Sequence, residues 1–312
     1  MVIVSGSLAY DQIMDFPGQF SDHIMPDKIH LLNVSFLVDN IRKGFGGTAG
    51  NIAYSLSLLG IKTGILGMVG GDFAVYREFL EKNEIDTNYI KILSRFNTST
   101  AFGITDSKDN QIWGFYTGAD SLSDQLSVKN ISAKIDFAVI APHNPRSMLK
   151  FAREYQNKKI IYLFDPGMQL PWLNGSDLML AFNGAKIIIG NDYEVGIMEK
   201  KTKISDLHAH YPDKIVITTL GEKGSVVSYN HKKIKIDACK VKNASDPTGA
   251  GDAYRAGFVA GFLRRLPLEI CGRMGSVASA YTVEKYGTTT HFFNLEKFSQ
   301  RYRTNYHQDL EL

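Results

Sequence analysis

The stretch Asp246-Pro247-Thr248-Gly249-Ala250-Gly251-Asp252 puts a carboxylate at the end of a glycine-rich turn and runs directly into Ala253-Tyr254-Arg255-Ala256-Gly257-Phe258-Val259-Ala260-Gly261-Phe262-Leu263. Phe258 and Phe262 stand at i, i+4 with Val259 and Leu263 alongside, which predicts an amphipathic helix starting at the glycines. Such a turn aims backbone N–H groups at an anion, and the helix dipole adds to the attraction. A carboxylate inside an anion cradle would oppose simple binding. It makes sense if Asp252 takes a proton from an attacking hydroxyl while Gly249, Ala250 and Gly251 hold the charge on a phosphoryl group in transfer. The competing structural reading makes Asp252 a dipole-favoured acid of the first turn.

A second glycine motif, Gly46-Gly47-Thr48-Ala49-Gly50-Asn51, opens a helix on which Ile52, Leu56 and Leu59 share a face and Gly60 marks the end. Gly44-Phe45-Gly46-Gly47-Thr48-Ala49 also fits the G-x-G-x-x-A dinucleotide fingerprint, with Asp72 near the place of the ribose acid. Against that reading, Asn40-Ile41-Arg42-Lys43 makes a poor buried strand. The alternative is that Gly46 and Gly47 admit a polyol close to the backbone and Asn51 hydrogen-bonds its hydroxyls.

The elements that would position these groups alternate in the second half. Phe137-Ala138-Val139-Ile140-Ala141, Ile160-Ile161-Tyr162-Leu163-Phe164, Ile187-Ile188-Ile189 and Ile215-Val216-Ile217 read as parallel strands buried on both faces. Helix-compatible segments at 148–156, 177–183 and 192–199 lie between them, so the region reads as repeated βα units. Asp165, Asn191, Thr218 and Thr219 follow the apolar runs, at the strand ends where open α/β sheets bind ligands. Elsewhere, Ala101-Phe102-Gly103-Ile104-Thr105 and Gln111-Ile112-Trp113-Gly114-Phe115-Tyr116, joined by Ser107-Lys108-Asp109-Asn110, predict an antiparallel hairpin. Residues 1–11, 46–93 and 120–312 are expected to form an α/β core, and 12–45 and 94–119 a small β-sheet lid.

Composition narrows the class. The 312 residues are 44% hydrophobic and 21% charged, with no apolar run near the ~18 residues of a membrane span. A formal charge of +3 argues for no nucleic-acid partner. The start, Met1-Val2-Ile3-Val4-Ser5-Gly6, lacks a basic leader and reads as a strand, so a cytoplasmic location away from membranes is expected. Cys239 and Cys271 form no metal or redox motif and read as buried free thiols. No Gly-Lys dipeptide occurs, so a P-loop is excluded and phosphate handling falls to the turn at 249–251.

Both glycine motifs resemble those of the ribokinase (pfkB) family of carbohydrate kinases, and the likeness runs in order over nearly the whole chain. It implies a ribokinase-like three-layer α/β/α sandwich with a mostly parallel sheet and a small β-sheet lid. It implies that Asp11, in Ser7-Leu8-Ala9-Tyr10-Asp11, grips vicinal sugar hydroxyls, with Ser7, Gly46, Gly47 and Asn51 completing the sugar site. It implies an anion hole at Gly249, Ala250 and Gly251, with Asp252 the base. Asn191-Asp192-Tyr193-Glu194 matches an N-x-x-E that organises Mg²⁺, placing Glu194 at the metal and Asn191 beside the nucleotide. Thr219-Leu220-Gly221-Glu222-Lys223-Gly224 matches T-x-G-x-x-G of the nucleotide site, through Thr219, Gly221 and Gly224. Taken singly, Asp11 reads equally as a turn residue, and Asn191 with Glu194 as a helix cap.

Within the family, the segment 246–257 and Gln111-Ile112-Trp113-Gly114-Phe115-Tyr116-Thr117-Gly118-Ala119 look most like the bacterial adenosine-kinase-like branch, supported by Asp165-Pro166-Gly167 and Gly287-Thr288-Thr289-Thr290-His291. The implied reaction is transfer of the γ-phosphoryl group of ATP, with Mg²⁺ and room for a monovalent cation such as K⁺, to a nucleoside. The alternative acceptor is a sugar such as ribose or fructose. Arg255 departs from the small residue of the sugar kinases and reads equally as a phosphate contact or a solvated side chain. The period-two rule puts Trp113 and Phe115 on one lid face and leaves Phe102 free to join either. Phe102 and Phe115 are expected to stack on a base, or else to cement the lid or a homodimer formed through it.

Overall fold

The computed structural model describes residues 1–108 and 110–312; Asp109, expected in the hairpin turn, lies outside the described residues. In chain order the strands are β1 (Val2–Ser5), β2 (Ala9–Asp15), β3 (Asn40–Gly46), β4 (Thr63–Gly70), β5 (Ile90–Leu93), β6 (Ser99–Thr105), β7 (Gln111–Tyr116), β8 (Phe137–Ile140), β9 (Tyr162–Phe164), β10 (Ile187–Asn191), β11 (Ile215–Thr219), β12 (Ser225–Tyr229) and β13 (Lys232–Ile236). The α-helices are α1 (Thr48–Leu58), α2 (Ala74–Lys82), α3 (Pro145–Asn157), α4 (Gly175–Gly184), α5 (Asp192–Thr202), α6 (Leu207–His210), α7 (Ala250–Leu263), α8 (Leu268–Val283) and α9 (Leu295–Tyr306).

The larger sheet has the order β13-β12-β11-β10-β9-β8-β1-β4-β5 and is parallel from β11 to β5, with an antiparallel β12–β13 edge. Side-chain alternation divides its core in two. Val2, Val4, Ile187 and Ile189 face the helices that carry Ile52, Phe258 and Met274, whereas Ile3, Ala138, Ile140 and Ile188 face Phe151, Phe182 and Met198. A strand buried on both sides needs apolar residues at every position, which explains the unbroken apolar runs.

The smaller sheet has the order β3-β2-β6-β7. β2 pairs antiparallel with β3 but parallel with β6, while β6 and β7 form the expected antiparallel hairpin. One boundary moves. Asp11 pairs with Gly44 and Ala101 inside the lid sheet, so the lid begins at Ala9 and Asp11 is a lid residue, because the alternating segment is half-exposed and cannot extend the buried β1. Among the described residues no helix is long and apolar enough to cross a membrane.

Candidate active site

Asp246 shapes the glycine turn by accepting hydrogen bonds from the N–H groups of Thr248 (2.9 Å) and Gly287 (3.0 Å). Gly249 then takes a left-handed φ of +78° and packs against Thr288, where a Cβ would meet Thr288 Cβ at 3.0 Å. α7 starts at the next residue. The N–H of Ala250 is engaged by the Pro247 carbonyl at 3.2 Å, whereas those of Gly249, Gly251 and Asp252 have no partner among the described residues. The free N–H groups therefore include that of Asp252 in place of Ala250, because the turn itself uses Ala250.

Asp252 accepts a 2.8 Å hydrogen bond on Oδ2 from Nδ2 of Asn51 at the start of α1. Burial raises its pKa, and the nearby Arg255 guanidinium and the Asn51 bond oppose the rise. Asn51 thus orients the carboxylate, and its buried Oδ1 has no hydrogen-bond partner among the described residues. Arg255 is neither solvated nor loose: its side chain is 9% exposed and ion-paired with the buried Asp165 that follows β9. Burial, partly offset by Arg255, pushes the Asp165 carboxyl up to about 7.

Two cavities meet at this turn. One, of about 540 Å³, is lined by Asp11, Ala101, Trp113 and Phe115 from the lid and by Asp246, Thr248 and Thr288–Thr290 from the core. The Asp11 carboxylate lies over Gly46, where a Cβ would come within 2.2 Å of Oδ2, so a side chain there would displace the carboxylate. Burial, and then the charge of Asp246, raises Asp11 to about 6. Gly47 takes φ +86° at the entry to α1. Trp113 and Phe115 stack 5.9 Å apart at 12°, with the indole against Gly103, which has no side chain to displace it.

The other cavity, of about 570 Å³, has Thr219, Gly221 and Gly224 on one side, the loop 238–244 along its edge, and Ser276, Ser279, Ala280 and Val283 of α8 opposite. Pro247, Ala250 and Gly251 close its inner end. The turn 246–251 is therefore the wall shared by both cavities. Gly224 adopts φ +87°, and a Cβ there would stand 1.9 Å from the Ile236 carbonyl. The cysteines are free and buried, and Cys239 lines this cavity.

Some expected contacts fall elsewhere. Ser7 accepts from the N–H of Thr48 (3.0 Å) and lies 3.3 Å from its hydroxyl, so it ties β1 to α1 and has little left for a substrate. Phe102 pairs with Gln12 and Gly114, on the face opposite Asp11, where it is 42% exposed; strand alternation removes it from the pocket. Asn191 and Glu194 form a reciprocal cap on α5, each accepting from the other's backbone N–H at 2.8 Å. The cap occupies Oδ1 of Asn191 and leaves its Nδ2 donors uncommitted, and Glu194 retains one uncommitted oxygen. The dinucleotide fingerprint is excluded by topology: Gly44 to Gly46 are the end of the lid strand β3, and Asp72 accepts from the N–H and hydroxyl of Thr98 (2.7 and 2.6 Å).

Other pocket residues carry little signal of their own in the sequence. Arg42 bonds Asp15 and reaches the Tyr286 hydroxyl at 2.9 Å, while Thr288 and Thr289 both donate to the Phe45 carbonyl, at 2.9 and 3.2 Å. These contacts join lid and core across more than half the chain. The run Gly287-Thr288-Thr289-Thr290 was their only trace.

The model of the pfkB family of carbohydrate kinases matches residues 10–293. A nucleoside kinase of Methanothermobacter thermautotrophicus is 36% identical over 263 residues, covering 83% of this chain and 84% of that protein. The structure of Burkholderia thailandensis nucleoside kinase in complex with inosine superposes with a TM-score of 0.90 at 29% identity, covering 99% of this chain and 100% of that one. Its complex with ADP-inosine gives 0.87 at 31%, covering 100% and 98%.

Proposed function

The chain belongs to the pfkB family of carbohydrate kinases, and within it we propose that this protein phosphorylates a hydroxyl of a purine nucleoside. As a member of that family it is a phosphotransferase with an alcohol acceptor and ATP as donor. The observation that carries the nucleoside reading is the composition of the 540 Å³ cavity, which combines a carboxylate, Asp11, with the stacked pair Trp113 and Phe115. A bare sugar needs no flat apolar surface of that size; a base does. The similar nucleoside kinases support the same reading.

In this reading Asp11 accepts hydrogen bonds from two ribose hydroxyls, and Trp113 and Phe115 cover the base. The acceptor hydroxyl is held against Asp252, which removes its proton as the bond to phosphorus forms. ATP lies in the 570 Å³ cavity with its phosphates on the shared turn, where the free N–H groups of Gly249, Gly251 and Asp252 receive developing charge. Thr219, Gly221 and Gly224 border the nucleotide.

Mg²⁺ fits the donor set. Among the described residues no cluster of His, Cys, Asp and Glu could enclose a metal by itself. Mg²⁺ with ATP is held by one or two carboxylates, water and the phosphates, and Glu194 supplies such a carboxylate. When bound, the ion would neutralise phosphate charge.

The outer lid face suits a second copy of the chain. Ile41, Phe102, Ile112 and Tyr116, each 42–49% exposed, share that face, and an isologous dimer would cover it.

The deciding assay is ADP release from ATP–Mg²⁺ across a panel of nucleosides and sugars. Turnover with inosine or adenosine and little with ribose or fructose is expected. Efficient use of ribose or fructose with no nucleoside turnover would falsify the nucleoside reading and leave the kinase family intact.

A further inference from the structure

Arg255 lies in the first turns of α7, three positions past Asp252, and its side chain is 9% exposed. Its Nε stands 2.5 Å from Oδ2 of Asp165, and the two form a buried ion pair. Among the described residues neither Nη has a hydrogen-bond acceptor. A guanidinium carries five N–H donors, so a buried one held only at Nε has most of its donors free. A buried ion pair left in that condition is a poor source of stability.

Gly251 shows where the free end points. A Cβ at residue 251 would come within 2.6 Å of Nη1 of Arg255, so the absent side chain makes room for the guanidinium. Gly251 also contributes one of the free N–H groups of the cradle. The free end of Arg255 thus lies against Gly251, a residue of the turn that lines the 570 Å³ cavity.

We propose that Arg255 is a catalytic residue of the phosphoryl transfer, its Nη donors taking an oxygen of the phosphoryl group in flight, and that Asp165 is the positioning residue that holds it there. The proposal rests on the kinase reading of the site. The acceptor oxygen bonds to the γ-phosphorus as the bond from that phosphorus to the β,γ-bridging oxygen breaks. The acceptor proton passes to Asp252, ADP leaves with the bond's electron pair, and Arg255 stays protonated throughout. Burial alone would lower the pKa of Arg255, but Asp165 and then Asp252 more than offset it. Its charge in turn limits the rise at Asp252.

The test begins from wild-type turnover with ATP–Mg²⁺ and whichever panel acceptor is used, so a missing activity indicts the kinase reading and leaves this proposal aside. Arg255→Gln should lower kcat by roughly 10²–10³, as loss of one preorganised oxyanion donor does, with KM for the acceptor within about threefold. Asp165→Asn should lower kcat by a smaller factor with KM equally unmoved. Because Arg255→Gln leaves Asp165 buried without its partner, the double variant Asp165→Asn/Arg255→Gln is measured too, with its melting temperature. A folded double variant that stays at least a hundredfold slow, and an Arg255→Gly variant partly rescued by added guanidinium, support the proposal. Near-wild-type kcat in the folded double variant, or a loss confined to KM, overturns it.

Discussion

Nδ2 of Asn51 donates to Oδ2 of Asp252 over 2.8 Å and so couples the first turn of α1 to the first turn of α7. The two helices carry the two glycine motifs, and this bond aligns the carboxylate that sits between the cavities.

Asp252→Asn keeps the shape and the helix while removing the proton acceptor. A fall in kcat of ~10²–10⁴ is expected for loss of a general base. Isothermal titration with ADP should show nucleotide affinity unchanged.

Asn51→Leu removes one of the contacts that hold the Asp252 pKa down. A general base works deprotonated, so a higher pKa moves the acidic limb of the kcat/KM profile toward higher pH. A shift of that limb in the opposite direction would refute the orienting role of Asn51.

Asp11 has a folded pKa of about 6 against an ordinary 3.8. Between these values the folded chain holds a proton that the unfolded chain releases, so this group's contribution to stability falls as pH rises through the window. Asp11→Asn mimics the neutral acid and should gain on the order of 2–3 kcal/mol at pH 7.5, with the advantage vanishing toward pH 4. Denaturant titrations at the two pH values check this. Nucleoside phosphorylation by the variant should be nearly abolished, with ATP affinity retained.

Gly46→Ala drives a methyl group into the Asp11 carboxylate. KM for the nucleoside should rise by at least about tenfold, the scale of one lost hydrogen bond to a charged group, and KM for ATP should hold. Steady-state kinetics with each substrate varied separates the two.

The two lid phenylalanines should behave differently. Phe115→Ala should raise KM for a purine nucleoside by roughly ten- to hundredfold through lost stacking. Phe102→Asp should leave the pocket alone and shift the species seen by light scattering from the proposed lid-face dimer toward monomer. If Phe102→Asp changes nucleoside KM as much as Phe115→Ala does, the assignment of faces is wrong.

The sequence by itself determined the parallel sheet, the helix after Gly249 and the place of Asp252 in its first turn, because buried strands and helix N-termini carry local signatures in hydrophobic period and glycine placement. It left open which way half-exposed groups face. Whether Phe102 joined Phe115 or opposed it depended on the pairing of β6 with β2 and β7, and a strand's register is a property of its neighbours. Asn51 looked like a polyol ligand until α7 was set beside α1, 201 residues away in sequence. Arg255 looked equally like a solvated arginine until α7 was packed on the sheet at β9, where Asp165 waits as a buried counter-charge. Burial and pairing of charge are decided by contacts between distant segments, so only the tertiary structure could turn a list of polar residues into a site.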